Sequence, residues 1–144
     1  MRVAAYIIIL SLMLVVPVRK LNVAHLEPVE VVLLCMEDNK VCLRTDTDAV
    51  GRGDSAIEAL KDMEEATPSV IYLDTAEYLL VQKEAIQYVD ELRQKLKGSV
   101  KVCGAENVDL KISAEYLETH GNLPRLKEWK TTEKLPLWNG KKIS

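Results

Sequence analysis

The chain has 144 residues, of which 48% are hydrophobic and 28% are charged, and its formal net charge is −3. This length favours a single domain. The slight acidic excess argues against a nucleic-acid-binding surface, which shows clustered lysine and arginine. Three cysteines and two histidines are too few for a disulfide scaffold or for a protein with several metal sites. The apolar residues are concentrated in the first 18 positions, so an apolar leader precedes an ordinary soluble domain.

The leader predicts the compartment. Residues 3–18 carry no charged side chain, Arg2 precedes them, and Arg19 and Lys20 follow. This run is slightly shorter than the roughly 20 residues that span a bilayer core, and the long basic side chains can extend its reach. We therefore expect residues 1–20 to form an N-terminal membrane anchor, an uncleaved transmembrane helix. A cleaved signal sequence and a buried N-terminal helix are the alternatives.

The orientation is predicted from the length of chain on each side of the leader. Basic residues flank it at both ends, so the positive-inside rule gives little guidance. A short amino end followed by a long soluble body usually leaves the amino end in the cytoplasm. The expectation is a single-pass protein of the cell membrane whose soluble domain is extracytoplasmic.

A β-hairpin is predicted at the start of the soluble part. Val29–Met36 is a short, β-branched apolar run, and Val41–Thr45 alternates between apolar and polar residues. The turn residues between them place Asp38-Asn39 at the tip of the hairpin. Residues 47–54 are polar and contain glycine, which predicts a loop.

Two helices are predicted in the middle of the chain. Ser55 opens the first, because Ser55 and Glu58 form a capping box, and Pro68 ends it. Lys83–Lys97 has the clearest helical stripe of apolar residues, followed by Gly98 as a C-terminal cap.

The complete pattern is ββαβαβα. The remaining predicted elements are strands at Val70–Leu73, Tyr78–Val81 and Ser99–Gly104 and a short helix at Ala114–His120. The expected fold class is α/β (α+β), a small mixed-sheet domain behind an N-terminal transmembrane helix. Its expected boundaries are a linker at 21–28, the domain at 29–121, and a C-terminal tail at 122–144 with a short helix and a hairpin-like end at Asn139-Gly140.

One motif suggests a nucleotide site. Residues 51–56 read Gly-Arg-Gly-Asp-Ser-Ala, which fits the dinucleotide-binding fingerprint, and Asp74 follows a further short strand. Asp54 opposes this interpretation because it would repel phosphate at the start of the helix. No cofactor is predicted, and a small nucleotide-binding protein using Gly51, Gly53 and Asp74 is kept as an alternative function.

The cysteines are placed by the predicted hairpin. With Asp38-Asn39 as a two-residue turn, Cys35 faces Cys42 directly across the strands, with Cα atoms roughly 5.5 Å apart in a hydrogen-bonded pair. That distance permits a disulfide, but the sequence favours the alternative, two apolar thiols packed in or beside the core. Cys103 has no nearby histidine and is a poor candidate nucleophile.

No catalytic or metal site is predicted from local patterns. Asp46, Asp48 and Gly51 faintly resemble a calcium loop, but Val50 and Ile57 stand where oxygen ligands are required. The adjacent acidic pairs elsewhere are typical of solvated helix faces. The predicted binding residues are instead Trp129 and Trp138, because tryptophan is enriched at protein contacts. The alternative is that both cap the domain's own core.

A longer pattern supports the same compartment. It runs from the Gly-x-Gly-Asp-Ser-Ala-Ile-Glu-Ala-Leu segment at 51–60 through Ile-Tyr-Leu-Asp at 71–74 and Tyr-Leu-Leu-Val-Gln-Lys-Glu-Ala-Ile at 78–86 to Gly104. This pattern resembles the N-terminal domain of Ger(x)C-type subunits of spore germination receptors in endospore-forming bacteria. The resemblance implies a membrane-tethered domain outside the cytoplasm and no catalytic residues.

The expected function is therefore binding or assembly without catalysis. The predicted partners are the membrane, through the N-terminal helix, and other membrane or envelope proteins, with self-association included and nucleic acid excluded. A spore-germination or sporulation-related role follows from the resemblance. A secreted, cleaved factor is a further alternative.

Overall fold

The computed structural model describes residues 2–15, 26–120 and 122–144 and has a mixed α/β fold, which confirms the predicted class. The strands are β1 (Leu26–Pro28), β2 (Val31–Glu37), β3 (Lys40–Thr45), β4 (Val50–Gly53), β5 (Val70–Tyr72), β6 (Tyr78–Val81), β7 (Lys101–Ala105) and β8 (Leu137–Trp138). The helices are α1 (Arg2–Val15), α2 (Ala56–Ala66), α3 (Val89–Leu92) and α4 (Leu110–His120), with 3₁₀ segments at Leu73–Thr75 and Lys83–Tyr88.

The main sheet has six strands in the order β4-β3-β2-β6-β7-β8. Strand β3 runs antiparallel to both of its neighbours, β2 and β4. Strands β2, β6, β7 and β8 run parallel to one another. Helices cover both faces, so alternate residues of the central strands enter two separate cores. One core contains Leu34, Leu79 and Met63 of α2; the other contains Leu33, Leu80 and Leu117 of α4.

The predicted hairpin is confirmed in position and register. Asp38 and Asn39 both have positive φ, 49° and 61°, as a two-residue type I′ turn requires. Glu37 then pairs with Lys40, and Cys35 pairs with Cys42. The register follows because the turn and the alternation of the strands specify the same pairing.

The loop predicted at residues 47–54 is wrong for its second half, which forms β4. A tight turn returns the chain onto β3, with the Thr45 backbone N–H donating to the Ala49 carbonyl at 3.0 Å and Asp48 at φ 68°. β4 is the edge strand of the sheet, and its polar and glycine content hides the strand pattern in the sequence.

The capping box of α2 is confirmed in part. Ser55 Oγ accepts a hydrogen bond from the Glu58 backbone N–H at 3.1 Å, but the Glu58 carboxylate accepts from the N–H of Asp54 rather than of Ser55. Leu60 and Met63 are buried as the stripe predicts, whereas Ile57 is 39% exposed.

The long helix predicted at Lys83–Lys97 is wrong as a single α-helix. The segment is a 3₁₀ helix to Tyr88, the four-residue α3, and turns beyond it. Its apolar stripe nevertheless packs on the core, with Val89, Leu92 and Leu96 buried and Ile86 partly buried. Tertiary contacts compete with the helix at its end, because the Arg93 guanidinium donates to the backbone carbonyls of Leu126 and Trp129.

The predicted tail at 122–144 is part of the domain. β8 lies beside β7, and within the described residues 122–144 no helix is formed, so the predicted short helix is wrong. The hairpin-like end is present: Trp138 forms an antiparallel bridge with Ile143 around Gly140, which has φ +85°.

The predicted linker at 21–28 is also partly structured. Its last three residues form β1, which pairs in parallel with β5 in a separate two-stranded sheet. Residues 21–25 lie outside the described residues, as do residues 16–20 of the predicted anchor.

The described part of the chain contains no helix with both the length and the apolar character required to cross a bilayer.

Candidate functional site

Three side chains with metal-binding atoms meet on the α4 side of the sheet. Cys35 and Glu37 are two residues apart on β2 and point to the same face, and Cys42 lies directly opposite Cys35 on β3. The two sulfur atoms and a Glu37 carboxylate oxygen all lie within 4.8 Å of one another. Both cysteines are buried, with exposures of 2% and 0%, whereas Glu37 is half-buried. We call these three residues the thiol–carboxylate cluster.

Two arginines hold the carboxylate of this cluster. Arg52 Nη2 donates to Glu37 Oε2 at 2.9 Å, and Arg44 Nη2 donates to Glu37 Oε1. Arg44 lies two residues after Cys42 on the same strand, and Arg52 faces Cys42 from β4. Cys42 is therefore flanked by Cys35 on one neighbouring strand and by an arginine on the other.

The electrostatics of the cluster distinguish its two thiols. The pKa of Cys42 is lowered, first by its side-chain interaction with Cys35 and also by the nearby Arg44 guanidinium. The same interaction, together with burial, raises the pKa of Cys35. Hydrogen bonds from Arg52 and then from Arg44 lower the pKa of Glu37. The two thiols therefore differ in acidity, and Cys42 is the more acidic of the pair.

A groove of about 460 Å³ gives access to the cluster. Cys35, Glu37 and Arg44 line one wall, and the segment 107–111 that leads into α4 forms the other. An ion pair between Lys111 and Asp48, with Nζ and Oδ2 3.0 Å apart, connects the two walls. Solvent can therefore reach this side of the cluster although the sulfur atoms are buried.

The predicted cysteine pairing is observed as a pair of facing free thiols. This corresponds to the alternative of two thiols packed at the core, and the Cys35 sulfur lies 3.5 Å from the Cys42 carbonyl oxygen. Cys103 is buried apart from the cluster, donates to the Pro136 carbonyl at 3.2 Å, and has its pKa raised to about 11 by burial.

The structure assigns a packing role to the glycines of the nucleotide motif. A Cβ atom on Gly51 would lie 2.0 Å from the Ala59 carbonyl oxygen, and one on Gly53 would lie 2.6 Å from Glu58 Cβ. The missing side chains therefore let α2 lie directly on β4. Asp74 lies elsewhere, in the 3₁₀ segment after β5. The close packing explains the glycines, and the nucleotide-binding interpretation stays a prediction.

The two tryptophans offered as contact residues are buried, each with 2% exposure. Trp138 stacks on Tyr116 with ring centroids 4.1 Å apart, and its Nε1 donates to Ser113 Oγ at 3.1 Å. Trp129 packs in the opposite core, where its Nε1 donates to the Glu133 carbonyl at 3.3 Å. Both therefore complete the domain's own core and present no surface to a partner in this structure.

The sequence reasoning missed three residues of the site, Glu37, Arg44 and Arg52. The alternation of the predicted hairpin was sufficient to place Glu37 beside Cys35 and Arg44 beside Cys42. Arg52 could be added only with the edge strand β4, which the sequence did not predict.

No family model matches this chain, and comparison with curated proteins and with solved structures likewise finds no match. The resemblance to Ger(x)C-type subunits therefore stays a prediction.

Proposed function

We propose that this protein is a membrane-anchored domain that stands outside the cytoplasm and acts by binding or assembly with other envelope proteins, without catalysis. The observation that carries the proposal is the exposure of the apolar side chains of α1. The predicted spore-germination role is one form of this proposal, since the resemblance implies the same compartment.

The apolar surface of α1 extends around the whole helix. Tyr6, Ile7, Ile8, Ile9 and Leu10 are consecutive and all more than half exposed, between 55% and 74%. Five successive residues cover every direction around a helix with 3.6 residues per turn. A helix that is apolar on all sides requires an apolar environment, and the lipid bilayer supplies one for a segment bounded by basic residues.

The connection between α1 and the domain is short. Ten residues, 16–25, separate α1 from β1, so they reach at most about 36 Å when fully extended. The domain holds β1 through its pairing with β5 and through Thr75, whose Oγ1 donates to the Val29 carbonyl and accepts from the Val29 N–H. An anchored domain would therefore stay close to the membrane surface, where tethering raises its effective concentration for partners in the same membrane.

Two exposed apolar side chains lie on β5, the strand that pairs with β1. Val70 and Tyr72 on β5 are 60% and 40% exposed and face the same side of the strand, next to β1. Their position supports contacts made close to the membrane by the β1–β5 sheet, in place of the buried tryptophans.

Membrane attachment is tested by placing charges in α1. The full chain, expressed in bacterial cells, is expected in the membrane pellet and to resist extraction with alkaline carbonate. The double variant Ile8→Lys, Ile9→Lys is expected in the soluble fraction, because a lysine at the centre of an inserted helix costs about 3 kcal/mol. Immunoblotting of the fractions measures both.

The matched control is Val70→Lys, which adds a charge at an equally exposed apolar position of the domain. This variant is expected to stay in the membrane pellet. Carbonate release of the unmodified chain would contradict the proposal, as would equal retention of the double variant.

A further inference from the structure

We propose that Cys35, Cys42 and Glu37 form a binding site for a divalent cation of the Zn²⁺ type. This inference goes beyond the proposed function and concerns the folded domain alone, independently of the membrane.

The spacing of the three ligand atoms fits one cation. Zinc–sulfur bonds are about 2.3 Å long, so two thiolates on one tetrahedral zinc lie roughly 3.8 Å apart. The sulfur atoms and the carboxylate oxygen are already within 4.8 Å of one another. Small side-chain rotations are therefore enough to bring all three onto one ion.

The backbone holds this arrangement in place. Cys35 and Glu37 share a face of β2, and Cys42 is fixed opposite Cys35 by the register of a tight type I′ hairpin. The hairpin lies in the interior of a six-stranded sheet, with β4 on one side and β6 on the other. A site built on paired strands loses little conformational entropy when it binds an ion.

The donor set selects the class of cation. Two thiolates favour soft and borderline ions, and a thiolate–carboxylate combination suits Zn²⁺, whereas Mg²⁺ and Ca²⁺ prefer oxygen ligands alone. Three protein ligands leave one tetrahedral position. Cys35 and Glu37 line the groove, so water can supply the fourth ligand from there.

The arginines fit the role of outer partners of such a site. Each oxygen of Glu37 accepts one guanidinium N–H, from Arg44 or from Arg52, and each retains a further lone pair for an ion. Hydrogen bonds of this kind orient ligating carboxylates in metal sites. Three anionic ligands exceed the charge of a divalent cation by one, and the two guanidinium charges more than offset that single negative charge.

The test is a titration of the reduced, detergent-solubilised full chain with Co²⁺ as the only metal. We expect saturation at one equivalent, with thiolate-to-cobalt charge-transfer absorption in the near ultraviolet. One equivalent of Zn²⁺ is expected to remove that absorption. Cys42→Ala is expected to abolish it, and Cys103→Ala is the matched control, since Cys103 is a buried thiol of the same core outside the cluster and its loss is expected to leave the titration unchanged.

A second variant tests the same site without removing a buried thiol, whose loss can disturb folding. Glu37→Gln keeps the size of a half-buried side chain, and we expect it to weaken Co²⁺ binding at least about tenfold while the far-ultraviolet circular dichroism is unchanged. Absence of charge-transfer absorption in the folded, reduced wild type would overturn the proposal. Absorption that survives in Cys42→Ala, or unchanged affinity in Glu37→Gln, would overturn it as well.

Discussion

Replacing Gly51 by alanine is expected to lower the free energy of unfolding by about 3 kcal/mol, at the upper end of the usual cost of overpacking. The added Cβ would lie 2.0 Å from the Ala59 carbonyl oxygen and 2.5 Å from the Met63 backbone nitrogen. Both atoms belong to the backbone of α2 and cannot rotate away. The helix must therefore move off β4, which disturbs the core around Met63.

Gly140 provides the matched control for this substitution. It also resists replacement, because its φ is +85°, but an added Cβ would meet nothing within 4 Å. Gly140→Ala is therefore expected to cost only about 1 kcal/mol, from the left-handed backbone alone. Chemical denaturation of both variants measures the difference. Equal losses in the two variants would show that α2 does not lie against β4 as closely as the structure has it.

Replacing Trp138 by alanine is expected to cost about 3–5 kcal/mol of the free energy of unfolding, as for other large buried side chains. The indole is 2% exposed, stacks on Tyr116, and donates a hydrogen bond to the buried Ser113 hydroxyl. Trp138 is the buried side chain of the two-residue strand β8, so the substitution also removes the contact of that strand with the core.

The control for Trp138→Ala is Lys141→Ala, an exposed residue in the same terminal turn, for which we expect a change within about 0.5 kcal/mol. Thermal denaturation followed by near-ultraviolet circular dichroism measures both variants. A Trp138→Ala chain as stable as the wild type would contradict the packing role and favour the sequence-based interpretation of this tryptophan as a contact residue.

The elements that the sequence predicted correctly are those with local causes. The hairpin tip at Asp38-Asn39 tolerates positive φ, and the alternation on either side of it determines which residues face each other. The start of α2 is likewise local, because Ser55 and Glu58 cap it within one turn. The Cys35–Cys42 pairing followed from the same reasoning.

The errors arise where distant parts of the chain determine the structure. β4 and β8 become strands because β3 and β7 offer paired edges, and neither segment shows a strand pattern of its own. α4 begins at Leu110 rather than after Ser113, and Ser113 lies inside the helix, where its hydroxyl accepts a hydrogen bond from the distant Trp138. The arginine pair on Glu37 depends on the same edge strand, because Arg52 is positioned only when β4 is present.

A fusion at the carboxyl end tests the proposal that the chain is anchored in the membrane with its domain outside the cytoplasm. Alkaline phosphatase gains activity only outside the cytoplasm, and it is joined to the chain after Ser144. Its activity is assayed in fractions of bacterial cells, and the amino end of the fusion is sequenced. We expect activity in the membrane pellet on a chain that keeps residues 3–18. Activity released into the medium on a chain that has lost those residues, or an inactive fusion, would contradict it.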